Sequence, residues 1–163
     1  MRQLLILRHA KSSWADASAD DWSRPLTDRG RRDATRVGEL LRRLSLVPDL
    51  IISSDADRAH TTARIVADAS GYAGKIQLSS SLYHAKPEAV IAVLQEVKTA
   101  TGRTIMIVAH NPGLEDLVAQ LTGEHVELPT AALVNVELAI RKWSEIDLSA
   151  AARMIDLWRP ADL

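Results

Sequence analysis

The chain has 163 residues, 47% hydrophobic and 25% charged, which suits one globular domain over residues 1–163 and excludes long disorder. The formal net charge of −1 excludes retention of nucleic acid or an anionic membrane by bulk charge, so an anionic ligand needs locally clustered cations. There is no cysteine, which excludes disulfides, thiolate metal sites and thiol nucleophiles.

The first residues, 1–8, are a short apolar run ended by charge. This is too short for a signal-peptide core with its flanks. No apolar stretch approaches the ~20 residues that a membrane span needs. With the absence of cysteine, these features make a cytoplasmic protein the expectation.

Leu4-Leu5-Ile6-Leu7 reads as a strand buried on both faces, as in a parallel sheet. Residues 11–28 are polar, carry Trp14 and Trp22 and contain Pro25, which predicts a long, functional loop. Ala34, Val37, Leu40, Leu41 and Leu44 recur at helical spacing and predict a helix over 29–44, with Arg29, Arg31, Arg32 and Arg36 either on its wet face, the commoner case, or docking an acidic partner. A second buried strand covers 50–52 and ends in Ser53-Ser54. A helix over 57–70 follows, closed by Gly71, and then a weak strand over 76–78.

Pro87 suits the first turn of a third helix, with Val90, Val93, Leu94 and Val97 on one face and Gly102 at its end. Residues 104–109 form the clearest strand. Asn111 and Pro112 read as N-cap and first turn of a fourth helix striped by Leu114, Leu117, Val118 and Leu121. After Pro129 the period becomes two: Val134, Val136 and Leu138 alternate with Asn135 and Glu137, predicting a half-exposed strand with which 153–158 can pair. This alternation implies an α/β fold: a three-layer α/β/α sandwich around a mostly parallel six-stranded sheet, with an antiparallel strand near the C-terminus. Ligands of such sheets bind at the carboxyl ends of the strands.

Arg8 and His9 end the first strand, His110 ends the fourth, and Arg58 opens the helix after the second. All four fall at that edge. A lone histidine after a strand is more often structural, but two imidazoles converging with two guanidiniums make a phosphate site. Arginine forks match phosphate oxygens, and a neutral imidazole can attack phosphorus. Helix N-termini after Ser54 and Asn111 would add backbone donors. Lys11 and Ser12, directly after His9, either line such a pocket or solvate the loop. Trp14 and Trp22 either form a substrate platform or, as is commoner, anchor the loop. His60 and His125 read as surface residues.

Four segments in this order resemble the histidine phosphatase superfamily, the phosphoglycerate-mutase-like group: Leu7-Arg8-His9-Ala10, the run Ser53-Ser54 through Arg58-Ala59 to Thr62-Ala63, Val108-Ala109-His110-Asn111-Pro112, and Pro129-Thr130. The chain's shortness, Lys11-Ser12-Ser13-Trp14 and Arg24-Pro25-Leu26-Thr27 are most similar to the SixA-type phosphohistidine phosphatases. The resemblance implies that His9 is the nucleophile and that Arg8 and Arg58 clamp the phosphoryl oxygens. His110 would offset transition-state charge, with Asn111 and Thr130 at the phosphate. It implies no metal and no cofactor.

Two departures matter. Ala10 stands where the motif has glycine. The glutamate that many members carry after the third strand is missing, and that stretch reads Leu82-Tyr83-His84-Ala85. Candidate proton donors are His84 and the loop aspartates Asp16, Asp20 and Asp21. Imidazole leaves from phosphorus with little acid help, since its conjugate acid has a pKa near ~6.5. The pattern therefore favours hydrolysis of phosphohistidine on a protein. A phosphomonoesterase for a small metabolite such as a sugar or nucleotide phosphate comes second, and a mutase or a non-catalytic phosphate-binding module ranks behind both.

Overall fold

The computed structural model describes residues 1–163 except 17 and 19, and leaves out the side chain of Thr99. The loop predicted over 11–28 thus lies partly outside the described residues. Among the described residues the strands and α-helices follow in the order β1 (Arg2–Arg8), α1 (Asp28–Arg43), β2 (Leu50–Ser54), α2 (Asp57–Ser70), β3 (Ile76–Ser79), α3 (Pro87–Gln95), β4 (Thr104–Ala109), α4 (Gly113–Thr122), β5 (Leu133–Leu138) and β6 (Ala152–Trp158).

The strands form one sheet in the order β3-β2-β4-β1-β5-β6. β1 through β4 run parallel, and β5 is antiparallel to both its neighbours, β1 and β6. Alternation along β1 sends Leu4 and Ile6 to one face and Leu5 and Leu7 to the other. All four are fully buried, each burial being worth about 1.5–3 kcal/mol. The first face packs on α3 and α4 and the second on α1 and α2, giving the three layers expected from the sequence.

Two elements differ from the sequence expectation. α3 stops at Gln95 rather than running to Gly102, because the N–H groups of Glu96 and Val97 tighten onto the carbonyls three residues back. Val97 keeps the apolar period by packing into the core from that turn. β5 is not half-exposed. It lies inside the sheet with both faces covered, and Asn135 is buried among apolar neighbours. Trp143 is fully buried in the core on the α3–α4 face, and Trp158, partly buried, packs on the α1–α2 face. Among the described residues no helix is long and apolar enough to cross a membrane.

Two glycines let helices begin close to the carboxyl edge of the sheet. A Cβ on Gly30, in the first turn of α1, would stand 2.2 Å from the carbonyl oxygen of Lys11. A Cβ on Gly113, opening α4, would stand 1.9 Å from that of Ala85. The start of α1 is also capped by Thr27, whose Oγ1 accepts the Gly30 N–H at 3.0 Å.

Candidate active site

β1 and β4 are adjacent and parallel, with Arg8 opposite Ala109. The chain leaving β1 reaches α1 on one face of the sheet, and the chain leaving β4 reaches α4 on the other. A crevice opens where the two part. His9 and His110 stand in it, one residue beyond each strand. The His9 N–H donates to the Ala109 carbonyl at 3.1 Å, and the ring centroids are 5.2 Å apart. β2 flanks β4 on the other side, so the Ser54 hydroxyl meets His110 Nε2 at 2.8 Å, and Arg58, in the first turn of α2, is buried beside them. Arg8, His9, Arg58 and His110 line one cavity of about 240 Å³, joined by Lys11, Ser12, Asn111 and Thr130.

His9 Nδ1 lies 2.8 Å from the Ala10 carbonyl oxygen. A carbonyl can only accept, so Nδ1 carries the proton and Nε2 keeps its lone pair. Burial, together with Arg58, Arg8 and Arg24, pushes the His9 pKa down to about 4. Burial, then His9 and Arg58, pushes that of His110 down to about 3. Both rings are therefore neutral near neutral pH, and one presents a free nucleophilic nitrogen among cations.

Arg8 Nη1 donates to the Leu128 carbonyl at 2.9 Å. Asn111 Nδ2 donates to the same carbonyl, while its Oδ1 accepts the Glu115 N–H at 3.3 Å. Asn111 thus caps α4 from one residue further out than expected, since the helix opens at Gly113. Among the described residues, Arg8 Nε, Arg58 Nε and His110 Nδ1 are buried with no hydrogen-bond partner. Buried polar atoms of this kind are costly unless they serve a ligand.

The candidate proton donors separate. Asp16 does not line the cavity; its carboxylate accepts the Ser18 N–H and hydroxyl at 3.0 and 2.6 Å. Asp20 likewise binds Ser23. Asp21 does line the cavity. Its carboxylate accepts from Tyr83 Oη at 2.5 Å, Arg58 Nη2 at 3.0 Å and Arg24 at 3.3 Å, and faces His84 Nε2 at 3.1 Å. Tyr83 foremost, then Arg58 and His84, hold its carboxyl well below the usual carboxylate range, so Asp21 has no proton to give near neutral pH. His84 also lines the cavity, from a left-handed backbone position at φ 50°, with its ring 5.4 Å from that of His110.

Arg24 and Tyr83 are assigned no role in the sequence reading. Their signal lies in Arg24-Pro25-Leu26-Thr27 and in Leu82-Tyr83-His84-Ala85. His60 is half-buried and His125 exposed, and neither lines the cavity.

The family model for branch 1 of the histidine phosphatase superfamily matches residues 4–84. An uncharacterized chloroplastic protein of Arabidopsis thaliana is 32% identical over 152 residues, covering 88% of this chain and 70% of that one. The chain belongs to the histidine phosphatase superfamily. A 2,3-bisphosphoglycerate-dependent phosphoglycerate mutase of Bifidobacterium longum is 39% identical over 69 residues, which is 41% of this chain and only 28% of the mutase. Among solved structures, the SixA chain of Agrobacterium tumefaciens superposes with a TM-score of 0.82 at 26% identity, covering 98% of each chain. The protein histidine phosphatase SixA complexed with tungstate shares the fold at TM-score 0.82 and 24% identity, over 98% of this chain and 97% of that one. Mycobacterial glucosyl-3-phosphoglycerate phosphatase shares it at TM-score 0.69 and 16% identity, over 94% and 97%.

Proposed function

We propose that this member of the superfamily hydrolyses phosphohistidine on a protein, through a phosphoryl group carried on His9. The observation that carries the reading is the Nδ1 bond of His9 to the Ala10 carbonyl, which leaves Nε2 as a neutral nucleophile in an arginine-lined cavity. In the first step Nε2 attacks phosphorus and the bond from phosphorus to the substrate imidazole breaks. Arg8 and Arg58 hold the phosphoryl oxygens, and His110 hydrogen-bonds the transferring group. Lys11, Ser12, Asn111 and Thr130 stand around it. His84 supplies a proton to the leaving nitrogen, with Asp21 orienting its ring. Water then attacks the phosphorus on His9, releasing inorganic phosphate and restoring the lone pair. No cofactor or metal enters these steps.

Two features support the substrate class. Asp21, the one carboxylate that lines the cavity among the described residues, is ionised, so acid assistance rests on an imidazole, which suffices for a leaving group as weakly basic as another imidazole. Among the described residues none of α3 lines the cavity; Pro87 and Glu88 at its start border only the adjoining cavity that shares His84 and Asn111, so that helix puts no lid over the catalytic mouth, which suits a macromolecule. The Agrobacterium tumefaciens SixA likeness points the same way.

A small-molecule phosphomonoesterase is the second reading, favoured by the presence of His84 inside the cavity as an acid for a more basic leaving oxygen. A side-by-side assay separates the two. The proposal expects higher kcat/KM on a phosphohistidine protein than on every member of a sugar and nucleotide phosphate panel. Turnover of one such metabolite with none of phosphohistidine would reverse the order.

A further inference from the structure

Loop anchoring is the commoner use of a pair of loop tryptophans, but Trp14 is 71% exposed while lining the rim of the catalytic cavity. Its ring is nevertheless fixed. The Arg24 guanidinium carbon lies 3.5 Å from the ring centroid, a cation–π stack on one face. Arg24 is itself buried and clamped: Nη1 donates to Ser12 Oγ at 2.8 Å, and Nε and Nη2 each reach Asp21 Oδ1 at 3.3 Å. The strand-like bridge between Ser12 and Leu26 and the Ser13 N–H bond to the Pro25 carbonyl at 2.8 Å hold the base of the loop together. The indole therefore stands on a prepaid support at the mouth of the site, exposed on a surface that costs no ordering when it is covered.

We propose that Trp14 is the docking contact for the protein whose phosphohistidine enters the cavity, packing against an apolar patch beside the phosphorylated ring. The inference rests on the proposed function and specifies its partner. Size decides between a protein surface and the leaving group itself. The cavity that Trp14 rims, about 240 Å³, is smaller than the roughly 300–1,000 Å³ of ordinary small-ligand sites, and Trp14 does not line the second cavity of about 370 Å³ that shares His84 and Asn111 with it, so a small leaving group that reaches beyond the phosphoryl end finds its room away from the indole. An aromatic side chain offers roughly 150–250 Å² for burial, and covering one that points outward from the rim takes a surface. Tryptophan in such a setting is a common energetic centre of protein interfaces.

The test is steady-state kinetics of wild type, Trp14→Ala and Trp14→Phe on three substrates: a phosphohistidine-bearing protein, an aryl phosphate and phosphoramidate, which has a P–N bond and no surface. The expected result for Trp14→Ala is a KM at least about tenfold higher on the phosphoprotein with kcat retained, and changes within about threefold on the other two substrates. Trp14→Phe should recover part of the phosphoprotein loss. Equal losses on all three substrates would place Trp14 behind Arg24 as a support of the catalytic cavity and overturn the proposal. Losses shared by the phosphoprotein and the aryl phosphate alone would mean stacking on the leaving ring, and unchanged kinetics would mean no contact; either overturns it. Wild type inactive on the phosphoprotein is the separate failure of the proposed function, and the docking role falls with it.

Discussion

Asp21 takes both terminal nitrogens of Arg58: its backbone carbonyl accepts from Nη1 at 2.6 Å and its carboxylate from Nη2 at 3.0 Å. The Arg58 side chain is only 2% exposed, so a loop residue neutralises a buried cation in the wall of the cavity. Asp21→Ala leaves that cation without its charged acceptor, at a cost of about 1–3 kcal/mol. For a chain of this size the melting temperature should fall by several degrees, roughly 2–4 °C for each kcal/mol. Thermal melts of Asp21→Ala and Asp21→Asn check this, and an unchanged melting temperature in both would mean that the pair contributes nothing to stability.

The same groups set the acid limit of the fold. Asp21 has a carboxyl held below its unfolded value of about 3.9, so its contribution is complete above about pH 4 and is lost as the pH falls further. His9 and His110 act higher up. Their folded values of about 4 and about 3 lie below the unfolded value of about 6.5, so between these limits the unfolded chain binds more protons. Stability should therefore drop as the pH is lowered from about 6.5 toward 4. His9→Asn should show a shallower drop over that window. Urea midpoints at pH 7, 5.5 and 4.5 measure it, and parallel curves for wild type and variant would contradict the burial of a neutral ring.

The strands that the sequence reads most clearly are β1, β2 and β4, whose apolar runs are continuous because helices cover both faces. β5 misleads because the alternation of Val134, Asn135 and Val136 is the usual mark of a half-exposed strand, and only the sheet order shows that Asn135 is interior. The positions of Arg8, His9, Arg58 and His110 at one edge follow from strand ends and are readable in one dimension. The junction of Asp21 with Arg58, Tyr83 and His84 is not. It joins a loop to residues 37, 62 and 63 positions away, and no local period or cap announces it.

Arg58→Ala should cost roughly 3–5 kcal/mol of transition-state stabilisation, the scale for truncating one partner of a buried charge pair. That corresponds to a fall in kcat/KM of roughly 10²- to 5 × 10³-fold. Vanadate or tungstate should inhibit the wild type competitively and the variant poorly. Equal oxyanion affinity in the two would move the phosphate site away from Arg58.

His84→Ala separates the substrate classes by leaving-group basicity. An alkyl ester needs its leaving oxygen protonated, whereas imidazole and aryl oxides depart with less help. The variant should lose more kcat on alkyl phosphates than on phosphohistidine or an aryl phosphate. A uniform loss across all three would assign His84 to binding rather than to proton transfer.

The central claim is that phosphorus passes through His9, and trapping the phosphoenzyme tests it directly. Wild type mixed with labelled phosphohistidine protein and quenched within the first turnover should carry one phosphate on His9, labile to acid and stable to base. His9→Ala should fold with the wild-type circular dichroism spectrum, trap no phosphate and turn over no substrate. Phosphate trapped on another residue, or full turnover by His9→Ala, would contradict the account.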